Sequence, residues 1–246
     1  MLVTNDDQLQ GLRDCGRAVA RAIEEMGKAI EVGMTAKELD DLGQRILEQE
    51  GAQSAPKTIY DFPGYTCISI EPVIAHGWAD EQKMKAGDLI NIDVSACKNG
   101  YFTDAGATFI LPPVTPEKKA LVAAAKRARD NAIKQARAGA SMQVIPQAFQ
   151  KEARASGYSL IENLLGCHGV GTTLHDKPEI IAVPDQRDKR KLAEGLVIAV
   201  EPFLSTGARF ASDGMREWEL FTPDCLTAQF EHTIVVGKKG PIIVTL

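Results

Sequence analysis

The sequence predicts one α+β domain over residues 1–246, with helices covering one side of a mostly antiparallel sheet. Patterns typical of two helices followed by strands occur twice, once before Leu111 and once after it. A β-hairpin between residues 88 and 106 indicates antiparallel pairing. No Gly/Ser-rich linker and no charge run divides the chain. The repeated order suggests two similar halves that meet at one central site.

The first half begins with two helices. Apolar residues at helical spacing predict a helix over 6–30, with Asn5 as its N-cap. Thr35 and Glu38 form a capping box, which predicts a second helix that ends at Gly51. The segments that follow are an irregular stretch (52–64) and two strands (65–70 and 73–77).

The hairpin is the clearest local pattern in the chain. Its first strand alternates apolar with polar residues, and Asn99-Gly100 is typical of a two-residue type I′ turn. That turn pairs Ser95 with Asp104, so Asp93 and Asp104 become diagonal neighbours on one face. Their backbones would lie about 7–8 Å apart, within side-chain reach of a common point.

The second half repeats the order of helices and strands. Thr115-Pro116 predicts the start of a helix that runs to about residue 138, and a further helix follows over 141–156. The remaining segments are a Gly- and His-rich loop (166–178), a strand (196–201) and a last pair of strands (229–236 and 242–244).

Composition excludes several classes of protein. The net charge is −5, and the densest basic stretch, 185–191, contains two aspartates, so we expect a solvated loop there and no nucleic-acid partner. No apolar run approaches the ~20 residues of a membrane span, and the polar, acidic N-terminus is unlike a signal peptide. Five widely spaced cysteines favour a reducing compartment, so we expect a cytoplasmic protein.

Asp93 and Asp104 indicate a cation site. Two carboxylates aimed at one point repel each other unless a positive charge lies between them, and a divalent cation supplies it. On an isolated hairpin the two would more often be solvated acids on an open sheet face. The rest of the sequence favours the cation.

Further residues of suitable chemistry lie at strand ends and loops. His168 stands among glycines, Glu201 ends an apolar run, and Glu231 shares a strand face with Gln229 and Thr233. With the hairpin acids they supply four carboxylates and an imidazole, whose charge two divalent cations would balance. Such oxygen-rich ligation suits Mn²⁺, Fe²⁺, Co²⁺ or Zn²⁺.

The chain resembles the type I methionine aminopeptidases from its first helix to Val236. The motifs that carry the resemblance are Asn91-Ile-Asp93-Val, Asp104, His168-Gly-Val-Gly171 with His175-Asp-Lys-Pro178, Val200-Glu201-Pro202 and Gln229-Phe-Glu231-His-Thr-Ile-Val-Val236. The resemblance implies a pita-bread fold, in which a curved, mostly antiparallel sheet carries helices on its outer face and two halves are related by a pseudo-two-fold axis.

The resemblance also implies a ligand set for two divalent metal ions. Asp93 would chelate one ion, His168 and Glu201 would bind the other, and Asp104 and Glu231 would bridge them. The implied reaction is hydrolysis of the first peptide bond of a chain, with preference for methionine before a small second residue.

The same resemblance implies roles around the substrate. Glu201 would carry the proton, His175 would stabilise the oxyanion, and His76 would bind the scissile amide. Cys67 and Trp218 match the methionine pocket, and Phe62 is expected to contribute. The implied partners are N-termini of nascent polypeptides and peptides, with transient contact to the ribosome, and we expect a monomer.

Three departures from the family pattern alter the expected pocket rim. An aromatic-His-x-aromatic stretch is usual before Pro63, but the chain has Ile59-Tyr60-Asp61-Phe62. Leu174 replaces a usual aromatic residue, and Cys167 a usual glycine. We expect these changes to affect the turnover rate and the choice of substrate residues more than the metal chemistry.

Three alternatives remain. An X-Pro aminopeptidase or dipeptidase of the same fold generally has a large N-terminal domain and a further active-site histidine. A non-catalytic binding relative would lose metal ligands. An unrelated metal-bound structural protein would not need His76 or His175.

Overall fold

The computed structural model describes residues 1–246 as five helices and fifteen strands. The helices are α1 (Asp6–Ala29), α2 (Ala36–Gln49), α3 (Ala55–Tyr60), α4 (Pro116–Gln135) and α5 (Val144–Ser156). The strands of the first half are β1 (Gln53–Ser54), β2 (Cys67–Ile70), β3 (Val73–Ala75), β4 (Leu89–Lys98) and β5 (Tyr101–Ile110). Those of the second half are β6 (Ser159–Leu160), β7 (Leu165–Gly169), β8 (Asp176–Ile181), β9 (Val197–Val200), β10 (Phe203–Ser205), β11 (Ser212–Asp213), β12 (Leu220–Phe221), β13 (Thr227–Gln229), β14 (His232–Val235) and β15 (Ile242–Ile243).

Local sequence determines the two N-terminal helices. The Asn5 side chain accepts a hydrogen bond from the Gln8 amide at 2.9 Å, which satisfies a free donor at the start of α1. Thr35 and Glu38 form both bonds of the capping box at the start of α2. Both predicted helices are confirmed, and their ends agree with the prediction to within two residues.

The hairpin β4–β5 adopts the predicted register. Asn99 and Gly100 have φ angles of 52° and 80°, which a type I′ turn requires at both central positions. Ser95 pairs with Asp104, and Asp93 pairs with Gly106. Asp93 and Asp104 therefore point from the same face of the hairpin, as predicted.

Every pairing between strands is antiparallel. The first-half sheet has the order β1-β4-β2, with β5 paired to β4, and the second-half sheet has the order β15-β14-β9-β7-β8. The Glu231 amide donates to the Gly106 carbonyl at 2.8 Å, and Ala107 forms a β-bridge with Phe230. The central hairpin is therefore joined directly to the second half.

Two hydrophobic clusters show how the halves are built. One lies beneath α1 and α2 and includes Met26, Leu39 and Ile90. The other lies beneath α4 and α5 and includes Leu121 and Phe149. Each helix pair thus buries its apolar face against its own strands, in agreement with the predicted arrangement of two halves.

Two segments differ from the predictions. The stretch 52–64, predicted to be irregular, contains β1 and the short helix α3. The stretch 166–178, predicted to be a loop, contributes to β7 and β8. A Cβ at Gly169 would overlap the Lys177 carbonyl, so the glycine that suggested a loop allows close strand contact instead.

The connection between α4 and α5 also differs from the prediction. α4 ends at Gln135 and α5 begins at Val144, each three residues short of its predicted bound. The amides of Ala138 and Gly139 donate to the carbonyls of Gly237 and Leu192. These contacts with distant segments take the backbone bonds that a longer helix would use.

The basic stretch 185–191 is a solvated loop, as predicted. Asp185 pairs with Arg187 at 3.0 Å, and Asp188 pairs with Arg190 at 2.8 Å. The five helices include none with the length and apolar character of a membrane span.

The packing of α1 on the C-terminal segment gives a stability prediction. A Cβ at Gly16 would overlap the Val244 carbonyl oxygen, a backbone atom that cannot rotate away. We expect Gly16→Ala to lower the free energy of unfolding by about 1–3 kcal/mol. Urea unfolding measures this, with Arg17→Ala on the exposed side of α1 as the control, expected within ~0.5 kcal/mol of wild type. Equal stability of the two variants would contradict the predicted close contact.

Candidate active site

A cavity of about 370 Å³ lies between the hairpin β4–β5 and the second half, which contributes β7 and the residues next to the ends of β9 and β14. All ten predicted site residues line it. They are Phe62, Cys67, His76, Asp93, Asp104, His168, His175, Glu201, Trp218 and Glu231. The first and last of these residues, Phe62 and Glu231, are more than 160 positions apart in the sequence, so distant segments meet at one place.

His168 lies at the centre of the acidic end of this cavity. Its Nε2 atom is 3.5 Å from Glu201 Oε1, 3.9 Å from Asp104 Oδ2 and 4.0 Å from Glu231 Oε1. Its Nδ1 lies 3.0 Å from the Gly169 carbonyl, which can only accept. Nδ1 therefore carries the proton, and Nε2 presents a lone pair to the carboxylates, as a metal ligand must.

Hydrogen bonds hold the Asp104 backbone and the Glu231 carboxylate in place. The Asp104 amide donates to Thr233 Oγ1 at 2.8 Å, and that hydroxyl donates to the Asp104 carbonyl at 2.8 Å. Gln229 Nε2 donates to Glu231 Oε2 at 3.0 Å. Asn91 Nδ2 in turn donates to Gln229 Oε1 at 2.9 Å, which orients the Gln229 amide.

Without a cation, burial and mutual repulsion disfavour the charged form of the carboxylates in this cluster. Burial raises the pKa of Asp93 to about 6. Burial, followed by repulsion from neighbouring carboxylates, raises the pKa values of Asp104, Glu201 and Glu231 well above the usual range. Burial lowers the pKa of His168 to about 4, so its imidazole is neutral at pH 7. The cluster therefore favours the binding of positive charge, which either protons or a metal cation can supply.

The donor atoms fit a divalent cation. Asp104 Oδ1 and Glu231 Oε1 are buried and have no hydrogen-bond partner. Ligand atoms of Asp104, His168 and Glu231 all lie within 4.8 Å of one another. An unpartnered buried carboxylate oxygen costs several kcal/mol unless a cation binds it. The residues that could hold metal are these three together with Glu201, which lies 3.5 Å from His168 Nε2, and Asp93, which shares a hairpin face with Asp104.

Part of the cavity wall is apolar. The rings of Phe62 and Trp218 meet edge to face, with centroids 6.0 Å apart. Burial raises the pKa of the Cys67 thiol well above its usual range, so the thiol is uncharged. Such a wall suits an uncharged side chain bound beside the carboxylate cluster.

His76 and His175 line the cavity and are both exposed. The His175 ring is 4.4 Å from the His168 ring, centroid to centroid, although its outer side is exposed. Desolvation in the cavity, followed by the nearby His76, lowers the pKa of His175. His76 has a φ angle of 54°, an uncommon backbone conformation for a residue with a side chain.

The altered rim is only partly as predicted. Tyr60 and Leu174 line the cavity. Cys167 does not, because it packs in the second-half core with Phe149, so the prediction that it alters the rim is wrong. Ile59 and Asp61 are exposed and also lie outside the cavity lining.

Sequence reasoning missed eight lining residues. They are Pro56, Ala75, Ser95, Asn163, Leu164, Leu165, Phe203 and Leu220. Only Ser95 could have been found from a pattern, because the hairpin register places it opposite Asp104. The others belong to segments whose proximity depends on tertiary packing.

Comparison with known proteins identifies a family. Residues 10–238 match metallopeptidase family M24. The chain is 44% identical to methionine aminopeptidase 2 of Bacillus subtilis, over 100% of this chain and 99% of the relative. It is 41% identical to methionine aminopeptidase of Staphylococcus epidermidis, over 100% and 98%.

Solved structures of related proteins have the same fold as this chain. The crystal structure of methionine aminopeptidase from Rickettsia prowazekii superimposes with a TM-score of 0.94 at 30% identity, over 100% of both chains. A prolidase from Pyrococcus furiosus superimposes with a TM-score of 0.80 at 20% identity, over 65% of its own length. The second likeness concerns the fold alone.

Proposed function

The chain belongs to metallopeptidase family M24, and we propose that it acts within this family as a type I methionine aminopeptidase. Its fold is the pita-bread fold of that family, and it is a metal-dependent hydrolase. The observation that carries the proposal is the cavity with an acidic, His168-centred end and an apolar wall. This combination suits hydrolysis of a bond next to an apolar first residue.

We propose that two divalent ions bind at the acidic end. Asp93 would hold one, His168 and Glu201 the other, and Asp104 and Glu231 would contact both. The two buried, unpartnered oxygens of Asp104 and Glu231 support their assignment as metal ligands. When bound, such ions lower the pKa of a water molecule and polarise a carbonyl group. Mn²⁺, Fe²⁺, Co²⁺ and Zn²⁺ all suit the donor set.

The residues of the chain would carry out proton transfer, stabilisation of the oxyanion and substrate binding. Glu201 takes the proton of the attacking water and delivers it to the leaving amine nitrogen as the C–N bond breaks. His175 donates a hydrogen bond to the substrate carbonyl oxygen as negative charge develops on it. His76 binds the scissile amide. Phe62, Cys67 and Trp218 would surround the side chain of the first substrate residue. Their uncharged surface suits an apolar side chain.

We propose that residues 1–246 form one catalytic domain, because β5 contacts both halves of the fold. The substrates would be N-termini of peptides and nascent polypeptides, reached in part by transient contact with the ribosome. The five free cysteines support a cytoplasmic location. We propose a monomer, since one chain supplies every residue assigned to the site.

The X-Pro alternative is not favoured. The full-length relatives at 41–44% identity are methionine aminopeptidases, whereas the prolidase likeness covers 65% of a longer chain at 20% identity. A non-catalytic relative is also not favoured, because all five predicted metal-binding side chains line the cavity.

A peptide assay tests the function. We expect protein reconstituted with Mn²⁺ or Co²⁺ to release methionine from a Met-Ala peptide, with kcat/KM at least about tenfold above that for a Met-Lys peptide, because the large second residue fits poorly. An Ala-Pro peptide should be left intact. Cleavage of the Ala-Pro peptide alone would establish the X-Pro alternative, and cleavage of none would favour a binding relative.

A further inference from the structure

The Tyr60 hydroxyl contacts the histidine that we assign to the substrate carbonyl. Tyr60 Oη lies 2.8 Å from His175 Nδ1, across 115 positions of sequence. This is the one hydrogen bond that the His175 side chain makes in the structure. The two rings are tilted, with centroids 5.7 Å apart. Nδ1 is therefore engaged by Tyr60, and Nε2 is the nitrogen left to meet a substrate.

The direction of this hydrogen bond determines which nitrogen carries the proton. A neutral imidazole has one N–H and one lone pair. Burial, followed by the charge of Asp104, raises the pKa of Tyr60, so its phenol keeps its proton. A phenol O–H is a good donor, and an imidazole lone pair is a better acceptor than a phenol oxygen. Tyr60 therefore donates to Nδ1, and the imidazole proton lies on Nε2.

We propose that Tyr60 is a positioning residue, which holds His175 in the Nε2–H tautomer and orients that N–H toward the substrate carbonyl oxygen. The inference rests on the proposed function. A carboxylate at the position of Tyr60 would accept from Nδ1–H and leave Nε2 as a base. The phenol has the opposite effect, because it makes His175 a donor and leaves proton transfer to Glu201.

The local backbone holds Tyr60 in this position. It is the last residue of α3, whose first turn is capped by the Ser54 hydroxyl. The chain then turns at Asp61, which adopts the left-handed conformation with a φ of 54°, and the Phe62 amide returns to the Pro56 carbonyl. Tyr60 itself is 38% exposed, so removal of its hydroxyl should disturb the fold little.

The test compares Tyr60→Phe with Tyr65→Phe in the zinc-loaded protein. Each variant loses one phenol hydroxyl, but Tyr65 lies outside the cavity lining and makes no contact with His175. Long-range ¹H–¹⁵N NMR of the four histidines reports which ring nitrogen is protonated, with His175 assigned by its loss in His175→Ala. Wild type and Tyr65→Phe should show an unprotonated Nδ1, and Tyr60→Phe should show a mixture of tautomers.

Kinetics on a Met-Ala peptide gives the second readout. We expect Tyr60→Phe to lower kcat by about 5- to 10-fold, the effect of one hydrogen bond, with KM changed by less than about twofold. Tyr65→Phe should match wild type. A protonated Nδ1 in wild type, or an unchanged tautomer in Tyr60→Phe, overturns the inference. Failure of wild type to cleave the peptide would instead refute the proposed function, whichever tautomer the spectra show.

Discussion

Replacing His175 with alanine is expected to lower kcat on a Met-Ala peptide by about 10²–10³-fold, because a donor aimed at a developing oxyanion has effects of that size. Metal affinity should change by less than about threefold. His175 packs against His168 with ring centroids 4.4 Å apart, but Nδ1 is engaged by Tyr60 and the proposed ligand set does not include it. Steady-state kinetics and calorimetric titration with Mn²⁺ measure the two quantities separately.

His168→Ala is the matched comparison. Its Nε2 atom lies within 4.0 Å of three carboxylates, so its loss should lower metal affinity and activity together. The contrast between neighbouring histidines separates a substrate-facing role from a metal-binding one. If His175→Ala lost affinity and kcat to the same degree as His168→Ala, the assignment of His175 to the substrate would be wrong.

Local chemistry explains why part of this architecture could be predicted. The Asn99-Gly100 turn determines the register of β4 and β5, and that register alone places Asp93 and Asp104 on one face. The capping box at Thr35 likewise determines where α2 begins, whatever packs on it. Both features depend on residues only a few positions apart, which a single sequence displays.

Features that depend on distant packing could not be predicted in the same way. Glycines around His168 suggested a loop, yet Gly169 allows β7 to lie against the backbone of Lys177. Helix α3 has only six residues and no apolar period to mark it. Tyr60 was visible as a departure from a family pattern, but its contact with His175 spans 115 positions. The chemistry of Glu201 and Glu231 makes them candidate ligands, but only the family resemblance assigns their metal-binding roles, because no local rule brings these residues to the hairpin.

Metal loading is expected to stabilise the protein, and more strongly at pH 7.5 than at pH 5.5. In the metal-free protein the pKa values of Asp93, Asp104, Glu201 and Glu231 are raised above their unfolded values. Such groups bind more protons in the folded state, so their contribution to the free energy of unfolding falls as pH rises between the two pKa values. A cation that replaces those protons therefore binds more tightly as pH rises. His168, with a pKa of about 4, is already neutral across this range.

Thermal unfolding with and without Mn²⁺ measures the effect. At a Mn²⁺ concentration about 100 times its dissociation constant, linkage supplies ~2.7 kcal/mol, which should raise Tm by roughly 5–10 °C at pH 7.5. Less than about half of that rise should remain at pH 5.5. Chelation should return Tm to the metal-free value and abolish activity.

Glu231→Gln gives the sharpest version of this test. The amide keeps the shape of the side chain but removes the negative charge of the buried carboxylate, whose Oε1 atom has no hydrogen-bond partner. At pH 7.5 the metal-free variant should unfold at a higher temperature than the metal-free wild type, while its response to Mn²⁺ should largely disappear. Glu194→Gln, an equivalent change at an exposed residue paired with Lys238, should behave as wild type. A Tm rise of equal size at both pH values, or a full Mn²⁺ response in Glu231→Gln, would mean that the stabilising cation does not bind to this carboxylate cluster.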